Sequence, residues 1–140
     1  MRLGLFFSVF LMALPVHAVE TEFSLDVEQS IDLGLQWLRR VGAFVNPPSI
    51  PGRGPDAAGL FALALLERRE SADQNAPARG YLGASDEDRA SLDTVMDYVI
   101  DELGSASRSF DSYRDGSSLM ALSVYARTGG PRQADAIDAL

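Results

Sequence analysis

Asp56 and Asp115 are the two residues best placed to do chemistry in this chain. They stand 59 residues apart, each at the head of an apolar run. A carboxylate at a helix start accepts hydrogen bonds from free backbone N–H groups and meets the positive end of the helix. The same two carboxylates, held at the mouth of a central cavity, could serve as acid and base or bind a cation. Phe61, Tyr113 and Tyr125, with Phe110, lie on or beside the same apolar runs. They are the aromatic candidates for lining such a cavity, and core packing is the competing role for each.

The rest of the usual chemistry is missing. The chain has no cysteine and no lysine, and its single histidine, His17, falls in an N-terminal leader. No serine has a histidine or lysine partner, so a nucleophilic triad is unsupported. A zinc site built from cysteine and histidine cannot be assembled. Gly52 and Gly54 lack the preceding strand and following lysine of a phosphate loop. No cofactor and no metal are expected, and catalytic residues stay unassigned.

Residues Met1 to Ala18 read as an export signal. Arg2 supplies a positive start, Leu3 to Leu14 form an apolar run of twelve residues, and Pro15-Val16-His17-Ala18 offers a cleavage site after Ala18. A run of that length is too short to span a bilayer comfortably. The expected division is a signal peptide at 1–18 and a repeat body at 19–140. The expected location is the periplasm or the exterior, with no stable membrane anchor after cleavage. Without cysteine, the body must be held by core packing alone.

All twelve basic residues are arginine, and with twenty acids they leave a net charge of −8. That balance excludes nucleic acid as a partner, because binding phosphates needs a basic surface. The partners left open are a protein, a glycan or an apolar small molecule.

Two kinds of helix alternate. Leu92, Val95, Met96, Val99, Ile100 and Leu103 recur at helical spacing, with Asp93, Asp97, Asp101 and Glu102 on the other side. Ser85 with Asp88 suits the start of this helix, and Gly104 suits a left-handed cap at its end. A similar amphipathic segment is expected from about Asp26, with Gln29 three residues on, and carries Val27, Ile31, Leu35, Leu38 and Val41. By contrast, Ala57 to Leu66 has no charged residue, and Leu119 to Ala126 has only Ser123 and Tyr125 with polar side-chain atoms. Helices without a polar face must be enclosed by protein. Arg39-Arg40 and Glu67-Arg68-Arg69-Glu70 read as solvated helix ends. Trp37 and Tyr98 read as packing anchors between layers. The polar stretch from Ser71 to Ala84 is a long, mobile connection, with Tyr81-Leu82 packing back on the body.

The halves align. Leu60, Ala62, Leu63 and Ala64 match Leu119, Ala121, Leu122 and Ser123 at an offset of 59. Ile31, Asp32, Leu35, Trp37 and Leu38 match Leu92, Asp93, Met96, Tyr98 and Val99 at an offset of 61. An internal repeat follows, and Ala136 to Leu140 opens a third unit.

The segments Ile31-Asp32-Leu33-Gly34-Leu35-Gln36-Trp37-Leu38 and Asp115-Gly116-Ser117-Ser118-Leu119-Met120-Ala121-Leu122 resemble the outer and inner helices of prenyltransferase and squalene-cyclase type α/α toroids. The resemblance implies an all-α fold, with helical hairpin repeats forming part of a toroid around a central cavity. It covers most of residues 26–140. The catalytic motifs of the family are not matched. The nearest run to the cyclases' Asp-x-Asp-Asp is Asp86-Glu87-Asp88-Arg89, and the Gln…Trp signature is reduced to Gln36-Trp37. Two hairpins fall short of the five to seven in a closed ring, so the chain is expected to continue past Leu140.

The leading expectation is an exported, non-catalytic binding or scaffold protein on a cyclase-like repeat. The alternative is a carbohydrate-active or isoprenoid-handling enzyme that uses carboxylates and is completed by further repeats. A third possibility is a protein-interaction array in the envelope, which needs an exposed apolar groove between repeats.

Overall fold

The computed structural model describes residues 20–52, 54–105 and 109–140. The expected leader lies outside the described residues. Within them the chain is all-α. Five helices follow in order: α1 Glu22–Val41, α2 Ala58–Leu66, α3 Asp86–Leu103, α4 Ser112–Arg127 and α5 Gln133–Asp138. Among the described residues there is no strand, only a lone antiparallel bridge between Arg69 and Ala78.

Local signals account for several of the helix ends. Thr21 caps α1 through a reciprocal box with Ser24, which satisfies two otherwise free N–H groups. This cap lies upstream of Asp26, so the helix starts earlier than the Asp26–Gln29 spacing suggested. Gly42 ends α1 with φ +92°, and its N–H returns to the Arg39 and Leu38 carbonyls. Pro55 opens a short 3₁₀ turn, Pro55–Ala57, that leads into α2. Ser85 accepts the Asp88 N–H at the start of α3. Gly104, expected to be left-handed, instead continues right-handed at φ −69°.

The core lies where α2, α3 and α4 meet. Its filling includes Phe61, Leu65, Leu66, Leu92, Met96 and Leu122. The most extensive helix contact is α2 with α4, followed by α2 with α3 and α4 with α5. The α2–α4 crossing is backbone-close at one point. A Cβ on Gly59 would fall 2.4 Å from the Ser118 amide nitrogen, so only glycine fits there.

The two apolar helices are not enclosed on every side. Leu60 and Ala64 on α2 are exposed, and Met120 on α4 is 62% exposed. Nor does α1 join the packing as fully as α3. Leu35 is its sole buried residue, and Trp37 is exposed rather than anchored between layers. Tyr98, its counterpart on α3, does pack against the core.

The 71–84 connection is tied down. Gly80 N–H donates to the Leu66 carbonyl and Arg79 N–H to that of Arg68, while Leu82 N–H donates to that of Thr128. Tyr81 stacks edge-on against Tyr125, whereas Leu82 points to solvent at 69% exposure.

Candidate functional site: an apolar groove along the first helix

The five residues singled out from sequence differ widely in exposure, and none lines either of the two concavities described below. Asp56 sits in the 3₁₀ turn with its side chain 64% exposed, and Asp115 is buried in the first turns of α4. Arg114 connects them, with Nε 3.1 Å from Asp115 Oδ1 and Nη1 3.7 Å from Asp56 Oδ1. The hydrogen bond to Asp115 is the main reason the guanidinium pKa is raised. The capping residue of α4 is neither aspartate. Asp111 accepts from the N–H groups of Tyr113 and Arg114, at 3.1 and 2.8 Å. In return, the Asp111 N–H donates to Asp115 at 2.8 Å. Phe61 lies in the core edge-on to Phe44, and Tyr113 is exposed. Tyr125 is fully buried, and its hydroxyl accepts from the Arg132 N–H. Burial is the leading reason its pKa is raised.

A second cluster forms where solvated charges were expected. Arg39 and Arg68 turn inward onto Asp88, which is 2% exposed. Arg39 donates to Asp88 Oδ1, and Arg68 Nη1 lies 3.5 Å from Oδ2. Arg39 also pairs with Glu87 at 3.1 Å, and Arg68 with Asp32 of α1. Arg39 rests beside the Phe44 ring, 5.9 Å from its centroid. A buried carboxylate needs such partners. This knot fastens α1 and the end of α2 to α3. It places Asp88, the third position of the nearest match to the cyclase acid run, in two ion pairs.

A well-defined concavity lies beside α1. It is a groove of about 740 Å³, within the usual range for ligand sites. Val27, Ile31, Leu35 and Leu38 of α1 form one wall, with Leu63 and Ala64 of α2 opposite. Glu28, Glu67, Arg68 and Arg69 stand around these apolar walls. Phe23, Val27 and Ile31 recur every four residues and so form one ridge. They are 77%, 40% and 45% exposed. A shallower depression of about 430 Å³, bordered also by Asp26 and Ser30, flanks the other side of that ridge. None of Asp56, Phe61, Tyr113, Asp115 or Tyr125 lines the groove.

The α1 stripe was visible in the sequence from Val27 onward. Its signal as a site was the extension back to Phe23, which lengthens the stripe beyond what one short partner helix can cover. Which face lacks a neighbour could not be seen from spacing. Among the described residues, no group of three or more histidine, cysteine or carboxylate side chains could hold a metal ion. No helix among them is long and apolar enough to cross a membrane.

No family model, curated protein or solved structure matches the chain.

Proposed function

We propose that this chain is an exported, non-catalytic binding or scaffold protein whose binding face is the groove along α1. The groove itself carries the reading. Three large apolar side chains stand in solvent beside an apolar trough, and exposed patches of that kind serve as interaction sites. Covering their exposed parts contributes about 1 kcal/mol or more for each residue. The α/α toroid remains the proposed architecture. Its support is the closeness of α2 to α4 at Gly59 and Ser118, residues that are equivalent at the 59-residue offset. Export rests on the sequence of residues 1–18.

The enzyme alternative draws less support. Arg114 binds both candidate carboxylates, and neither lines the groove.

Binding of the neutral fluorophore N-phenyl-1-naphthylamine tests the groove. The wild-type chain is expected to enhance its fluorescence. Ile31→Asp should abolish the enhancement while leaving far-UV circular dichroism unchanged. Uptake that is indifferent to Ile31→Asp and Val27→Asp would remove the groove from the proposal.

A further inference from the structure

We infer that the natural occupant of this groove is a cationic amphipathic helix, an apolar stripe flanked by lysine or arginine. The inference deepens the groove reading and rests on it.

Charge selects this occupant. Over residues 20–34 the chain carries Glu20, Glu22, Asp26, Glu28 and Asp32 and no basic residue. Asp32 is paired with Arg68. The other four make no ion pair among the described residues. Asp26 borders the shallow depression and Glu28 the groove, so carboxylates flank the apolar ridge on both sides. Arg68 does not cancel them, because Asp32 and Asp88 already hold it. Arg69 remains on the opposite lip, donating to the Ala76 carbonyl. The whole chain, at −8, adds a field of the same sign, which draws cationic partners and raises their on-rate.

Shape agrees with charge. A 20-residue helix is about 30 Å long. A ridge of residues four apart, set between two depressions, is the surface another helix packs against. An apolar helix face laid in such a groove is a recurrent recognition mode. A second copy of this chain would bring the same carboxylates against one another, and an anionic lipid surface would repel them.

The test uses the full chain and a synthetic leucine-striped peptide of about five turns, flanked by lysine in one version and by glutamate in the other. The lysine peptide is expected to bind, and to bind about tenfold more weakly when salt is raised past the range where the Debye length falls below about 8 Å. The glutamate peptide should not bind. Asp26→Asn with Glu28→Gln should weaken binding about three- to tenfold. Ile31→Asp and Val27→Asp should each abolish it, although each adds a carboxylate. That last arm separates groove binding from bulk charge attraction, which those variants would strengthen. Equal binding of both peptides, or undiminished binding to Ile31→Asp and Val27→Asp, overturns the inference. So does sedimentation showing a dimer that Ile31→Asp dissociates and the lysine peptide does not. A chain that takes up the neutral fluorophore but not the lysine peptide retains the groove and loses this partner. A chain that takes up neither loses both.

Discussion

Gly59 and Ser118 meet backbone to backbone where α2 crosses α4, and a Cβ at position 59 would lie 2.4 Å from the Ser118 nitrogen and 2.5 Å from the Ser117 carbonyl carbon. Both atoms belong to main chain and cannot swing aside. The crossing therefore depends on the missing side chain at Gly59. Gly116 lies two residues before Ser118 on α4, and a Cβ there would meet nothing within 4 Å. The two glycines thus occupy opposite situations within one helix pair.

Opposite effects should follow on substitution. Gly59→Ala is expected to destabilise the fold by about 1–3 kcal/mol through overpacking, and Gly59→Val by more. Gly116→Ala is expected to stabilise it by about 0.5–1 kcal/mol, because alanine gives up less backbone entropy in a helix. Urea unfolding of the three variants checks this. A neutral Gly59→Ala would show that α2 and α4 separate in solution.

Asp88 should be among the most sensitive polar residues. Asp88→Asn leaves Arg39 and Arg68 without their common carboxylate, and we expect a loss of about 2–3 kcal/mol. That is below the usual cost of breaking a buried pair, because the arginines keep Glu87 and Asp32. The loss should appear as a lower urea midpoint with fraying of α1, read by hydrogen exchange at residues 35–41.

The aspartates around α4 should differ sharply from one another. Asp111→Ala removes the cap and is expected to cost about 1 kcal/mol. Asp56→Asn, exposed and 3.7 Å from Arg114, is expected to change stability by less than about 0.5 kcal/mol. Thermal melts of both variants decide the point. Equal losses would contradict the assignment of Asp111 as the cap.

Tyr81 should give the protein an alkaline limit. Burial first, then its 2.8 Å hydrogen bond to Asp93, pushes its pKa up to about 12 from an ordinary 10.0. The folded state thus holds this proton where the unfolded chain has released it. The resulting stability is fully present below pH 10, is lost as pH rises from there through about 12, and is absent above. Tyr81→Phe should narrow its stability gap from wild type across that interval, measured by urea unfolding at stepped pH. At neutral pH the substitution should cost about 0.5–1.5 kcal/mol for the lost hydrogen bond.

What sequence alone determined here is local. Ser85 announces the start of α3 because caps act within four residues, through hydrogen bonds whose partners are fixed by chain position, whereas the start of α1 was read near Asp26 and lies at Thr21. The periods of α1 and α3, and the uncharged run of α2, specify an all-α chain for the same reason. Tertiary structure decided what those helices face. Arg39 and Asp88 are 49 residues apart, and nothing in either local pattern marks them as a pair. Asp56 and Asp115 share an offset in sequence, yet one is in solvent and the other is buried, because α4 has an extra capped turn before its apolar run and the turn into α2 begins at a proline. The groove beside α1 belongs to this second class. An apolar stripe shows that a helix has a face to cover, but only the arrangement of neighbouring helices leaves Phe23, Val27 and Ile31 uncovered.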